Sequence, residues 1–104
     1  MSAIGQATTP TFICTVPNSV DLTAAQNVYF TMMQLMRKIT KSGTALTVDP
    51  HSVSVYLDQS ETVGFSPSFP VELQLNWTYE DGSRGMTKIV TVTVDRNLVP
   101  EVLA

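Results

Sequence analysis

A single cysteine, a single histidine and a single tryptophan stand in 104 residues, and charged side chains make up only 14% of the chain. Each scarcity removes something. Cys14 has no partner for an internal disulfide, and its place in an apolar strand candidate reads as a small packed hydrophobe, compatible with synthesis in a reducing cytoplasm. His51 lies between Pro50 and Ser52 without a nucleophile elbow, so a serine or cysteine nucleophile lacks its usual base, and a surface turn histidine is the expectation. A metal site built on His51 with Asp49 or Asp58 lacks ligand spacing. No apolar run approaches the roughly 18 residues that cross a bilayer, and the opening MSAIGQATTP has neither a basic nor an apolar signal region, so neither secretion nor insertion is expected.

Charge is scarce in both signs. The net charge is −3, and Arg37, Lys38 and Lys41 form the one local basic cluster, which is too small for a phosphate-binding footprint. Nucleic acid is therefore not an expected partner. With 43% hydrophobic residues against so few charges, a monomer would be poorly defended against association, which favours a subunit of a larger assembly. The length suits one domain with a two-layer core and no need of metal or disulfides.

Other chemical constellations read as structure. Glu80 and Asp81 are adjacent acids at a turn, Gly82-Ser83-Arg84-Gly85 is too short for a phosphate loop, and the sequon Asn76-Trp77-Thr78 falls in mid-strand. No catalytic, cofactor-binding or metal-ligating residue is assigned, and the protein is expected not to be an enzyme.

Alternation of apolar and polar residues is abundant. Val71, Leu73, Leu75, Trp77 and Tyr79 alternate with Glu72, Gln74, Asn76 and Thr78, as a half-buried strand requires. Asp81-Gly82 supplies turn chemistry and Lys88 to Val94 a β-branched return, so residues 69–94 read as a long hairpin. Val90, Val92 and Val94 share a face with Lys88, which a bulge near Gly85 or Met86 would reconcile.

Upstream, Thr11 to Val16 is bracketed by Pro10 and Pro17 and places Phe12, Cys14 and Val16 on one side. Residues 20–26 fit a single helical turn. Asn27 to Met36 is read as a strand because it opens on Val28-Tyr29-Phe30-Thr31, although Met32, Leu35, Met36 and Ile39 also fit helical spacing, which keeps a helix over 24–38 open. Lys38–Lys41 and Ala45–Val48 read as short strands joined in a hairpin across Gly43. Val53, Val55 and Leu57 alternate inward, and residues 60–65 fit one helical turn that Ser60 caps and Gly64 ends, with Val63 and Phe65 closing the core.

About seven turn-separated strands and one short helical turn, without the helices of a βαβ unit, give an all-β fold: a small antiparallel sandwich of immunoglobulin-like type. It is one domain over 1–104, with an amino-terminal arm at 1–9 and a carboxy-terminal tail at 97–104. Arm and tail both need something to dock on, the chain itself or a neighbour. Met32, Met33 and Met36 form a soft apolar group suited either to an adaptable interface or to gap-filling in a core. Trp77 with Tyr29, Tyr56 and Tyr79 offers a platform for sugar or peptide if exposed, but its alternation with Leu73 and Leu75 points to the core.

Three stretches together, DLTAAQNVYFTMMQ at 21–34, VSVYLDQSETVGF at 53–65 and VELQLNWTYEDGSRGMTKIVTVTV at 71–94, resemble a known type. They are similar in order and spacing to small β-sandwich proteins from the structural gene clusters of phages and prophages of Gram-positive bacteria, and to the amino-terminal modules of baseplate and tail proteins. Leu22, Ala24, Val28 and Phe30 carry the first match. Val55, Leu57, Gln59, Thr62 and Phe65 carry the second, and Val71, Leu73, Trp77, Asp81 and Gly82 the third. The pattern departs at Ile4-Gly5-Gln6, where an Arg-Gly often precedes the Thr-Pro. The resemblance implies a non-enzymatic virion component, made in the host cytoplasm, without cofactor, whose partners are other virion proteins and further copies of itself. The competing reading is a carbohydrate-binding or adhesin-type sandwich module. Candidate interface residues are Ile4, Met32, Met33, Met36, Gln74, Asn76, Thr78, Leu98, Val99, Val102 and Leu103.

Overall fold

A computed structural model describes residues 3–103. The strands are β1 (Ile4–Gly5), β2 (Thr11–Thr15), β3 (Asn27–Gln34), β4 (Arg37–Ser42), β5 (Leu46–Asp49), β6 (Ser52–Tyr56), β7 (Val71–Thr78), β8 (Arg84–Met86), β9 (Val90–Val92) and β10 (Val94–Asp95), with one α-helical turn, α1 (Gln59–Thr62), and 3-10 turns at Leu22–Ala24, inside the helical turn expected over 20–26, and at Gly43–Ala45. One sheet has the order β2-β6-β5. The other runs β4-β3-β7-β8, with β9 also on β7, and β1 pairs parallel with β10. This is an all-β sandwich with the layer arrangement of an immunoglobulin-like domain. Among the described residues no helix is long and apolar enough to cross a membrane.

The segment with two readings resolves as a strand. Val28, Phe30 and Met32 point into the core while Tyr29, Thr31 and Met33 face outward, because the β-branched and aromatic start suits a pleated surface and β7 offers a matching apolar row. Phe30 lies opposite Leu75, Met32 opposite Leu73 and Val28 opposite Trp77. Helical spacing of the methionines is incidental.

The expected hairpin across Gly43 does not form. β4 returns on β3 through the turn at Leu35-Met36, and β5 pairs with β6. Gly43, at φ +60°, instead turns the chain from one sheet to the other. Local turn chemistry is right there, but the inward residues Phe30 and Met32 need a partner on β4, and Ile39 lies opposite Met32.

The long hairpin exists and carries a bulge. Asn76, Trp77 and Thr78 pair with Met86, Gly85 and Arg84, whereas Leu73 pairs with Val90, one residue out of step. The extra residue lies just beyond the predicted position, between Met86 and Val90. Thr87 bridges the break: its N–H donates to the Leu75 carbonyl at 3.0 Å, and its hydroxyl accepts from the Leu75 N–H at 3.1 Å. Past the slip Val90 and Val92 lie opposite the inward Leu73 and Val71; Val92 and Val94 are buried, while Val90, next to the break, stays exposed.

α1 starts two residues earlier than a Ser60 cap implies. Asp58 is its cap, accepting from the Glu61 N–H at 3.0 Å, while the Glu61 carboxylate accepts from the Asp58 N–H at 3.1 Å. That reciprocal pair satisfies two donors at once. Gly64 does not end the turn in a left-handed conformation; it makes room for the Arg37 guanidinium, which a Cβ would strike. Phe65 is buried as expected, and Val63 is half-buried.

Candidate interaction surfaces

Ile4 and Met32 leave the candidate surface, for both are fully buried. Ile4 joins the core because β1 adds to β10, its N–H donating to the Thr93 carbonyl at 2.8 Å. Met32 sits on the inward row of β3 and fills core space, the gap-filling role open to it. Met33 is exposed on the outward row of β3, and the other candidates fall into two groups.

The first group is the outer face of β7. Gln74, Asn76 and Thr78 are half-buried among Tyr29, Thr31, Thr40 and Arg84, around a shallow polar depression of about 480 Å³. Their polar groups are largely engaged: the Gln74 amide donates to the Thr87 carbonyl at 2.9 Å, and Arg84 donates to Asn76 Oδ1 at 2.8 Å. This face is polar and mostly hydrogen-bonded within itself, with few groups free to change partners.

The second group gathers at the end of the sandwich that holds α1. Among the described residues thirteen large hydrophobic side chains are exposed, and seven of them lie here: Leu35, Met36, Phe69, Leu98, Val99, Val102 and Leu103. Backbone and side-chain ties collect these elements. Gln34, itself buried, donates to the Ser66 and Phe69 carbonyls at 2.8 Å each and accepts from the Ser66 N–H at 2.7 Å, locking the β3–β4 turn to the 66–69 loop. Arg37 donates to the Glu61 carbonyl at 3.0 Å and lies over the Phe65 ring.

The tail is pinned at both ends. The Asn97 amide donates to the Gln6 carbonyl at 2.8 Å, and Gln59 exchanges two hydrogen bonds with the Leu103 backbone, at 2.8 and 3.2 Å. Its side chains nevertheless face solvent, Leu98 at 84% and Met36 of the neighbouring turn at 99% exposure. The backbone is docked on its own domain, while the apolar surface is not.

Two features here were not signalled by apolar patterning. Leu35 holds φ +53°, a conformation that costs a bulky residue about 1–2 kcal/mol, and the two-residue spacing between β3 and β4 was the available clue. Gln34 reads as an ordinary polar residue at a strand end; nothing local foretells that its amide staples a loop 32 residues away.

The aromatic platform does not assemble. Trp77 is 5% exposed and lies under Gly85, where an added Cβ would overlap the indole. Tyr29 and Tyr56 stand on the outward faces of opposite sheets. His51 serves the backbone: its Nδ1 lies 2.6 Å from the Val20 carbonyl, which can only accept, so Nδ1 carries the proton. Asp81 accepts from the Ser83 hydroxyl and N–H at 2.6 and 2.8 Å, and these bonds hold its carboxyl below the usual range. Among the described residues no three His, Cys, Asp or Glu side chains gather as a metal set.

No protein-family model matches the sequence, and no curated protein matches it.

Proposed function

We propose that this chain is a non-enzymatic structural subunit of a tailed-phage particle, acting by protein–protein assembly with other virion proteins and with itself. The observation that carries the reading is the apolar end: seven exposed large hydrophobics on one pole, two of them on a stapled turn and four on a tail pinned at both ends. Exposed apolar patches rimmed by polar residues mark interaction sites. Holding them on tied backbone lowers the ordering cost of binding. The resemblance over 21–34, 53–65 and 71–94 supplies the virion context, and the low charge content fits a surface largely covered in an assembly.

The test is to purify particles by density gradient from a strain carrying the gene and to locate the chain by electron microscopy and mass spectrometry. A fixed stoichiometry in the particle is expected. A chain absent from particles and monomeric at high concentration would sink the proposal.

A further inference from the structure

Every strand edge exposes N–H and C=O groups that invite a further strand unless something guards them. Of the four outer edges of the two main sheets, three are guarded. β4 turns Arg37 and Lys41 inward, the latter donating to the Tyr56 carbonyl and the Glu61 carboxylate. β5 is short and tied at both ends, the Leu46 N–H taken by the Gly43 carbonyl and, just past the strand, the Pro50 carbonyl by the Leu22 N–H, so that only the Leu46 carbonyl and the groups of Val48 between them stay turned outward. The β8–β9 edge is broken by the bulge and carries Arg84 and Lys88. The remaining edge is β2.

In the common immunoglobulin arrangement the first strand lies beside the second on this sheet. Here β1 goes to β10 instead, and β2 pairs with β6 alone. The Val16 N–H donates to His51 and the Leu57 N–H to Pro10, so the even-numbered residues of β2 turn their backbone groups to β6. Thr11, Ile13 and Thr15 therefore turn theirs outward. No hydrogen bond among the described residues engages them, and all three are exposed, Ile13 at 64%.

We infer that this edge pairs with the same edge of a second copy, antiparallel, about a two-fold axis through Ile13. The sequence TFICT is self-complementary under that operation: Thr11 meets the partner's Thr15, and Ile13 meets its own counterpart. Thr–Thr and β-branched pairs are favourable cross-strand neighbours. No charge lies on the strand to repel its copy. Pro17, the next outward residue, has no N–H, which ends the ladder and disfavours shifted registers. The two three-stranded sheets then form one continuous sheet, β5-β6-β2 running into the partner's β2-β6-β5, and the apolar ends stay free. The inference rests on the self-association in the reading above, but it is tested without particles.

Sedimentation of the purified chain over a range of concentrations, with amide exchange, decides it. A species of twice the 11.4 kDa chain mass is expected, with the Thr11, Ile13 and Thr15 amides gaining protection as it forms. Ile13→Pro removes an N–H that the monomer does not use and should give a folded monomer. Ile13→Lys, placing like charges opposite each other, should do the same. A wild-type chain monomeric at millimolar concentration, a dimer that survives Ile13→Pro, or a dimer whose three amides stay unprotected would each overturn the inference. If Ile13→Pro does not fold, Ile13→Lys and wild-type exchange still decide. A dimer from a chain absent from particles would sink the virion reading alone.

Discussion

The two terminal segments lie against the same end of the sandwich and meet it in opposite ways. The arm buries its side chain: Ile4 is fully enclosed, β1 extends β10, and Gln6 reaches the Phe65 carbonyl at 3.3 Å. In the tail the backbone is held by Gln6 and Gln59, while Leu98, Val99, Val102 and Leu103 remain in solvent. Docking of backbone and burial of side chains are thus separable. The arm contributes to stability through lost apolar exposure, whereas the tail gains position without that contribution, which is what a displayed surface requires.

Substitutions can break or sharpen this contrast. Ile4→Ala leaves a cavity at the arm's anchor and should cost about 2–4 kcal/mol in denaturant unfolding; a cost under about 1 kcal/mol would place the arm outside the cooperative unit. Next in size is Gln34→Ala, which strips three hydrogen bonds from the 66–69 loop. A loss of about 1–3 kcal/mol is expected, with faster amide exchange at Ser66. Leu35→Gly relieves the positive φ and should raise stability by up to about 1 kcal/mol after glycine's own entropy is counted. An unchanged or lower midpoint would show that the turn is not strained.

The acid limb of stability gives a further test. Asp58 accepts bonds from the Ser60 hydroxyl and the Glu61 N–H, and its carboxyl is held below the usual range first by Ser60. A depressed folded-state pKa contributes stability that is present above the unfolded value and lost as pH falls through the folded one. Melting temperature should therefore decline below about pH 4, and Asp58→Asn should make that decline shallower. The same slope in both proteins would remove Asp58 from the account.

Much of this fold was legible because its strongest signals are local and periodic. Alternation over Val71–Trp77 and Val53–Leu57 predicts the inward rows, and Asp81-Gly82 the turn between β7 and β8. Where reading failed, distant partners decided. Gly43 turns the chain, yet whether a turn joins two strands of one sheet or crosses between sheets depends on which strand covers Phe30 and Met32. A short arm has no pattern of its own and reads as surface; only β10, some ninety residues on, makes Ile4 core. The apolar residues of the tail and Met36 stay exposed, since nothing inside the sandwich remains to receive them.

The most direct measurement replaces Leu98, Val99, Val102 and Leu103 together by serine and follows two quantities, unfolding free energy and recovery of the chain in purified particles. The account predicts a stability change within about 0.5 kcal/mol, as for surface positions, and loss of the chain from the particles. Normal incorporation, or a stability loss on the scale of Ile4→Ala, would contradict it.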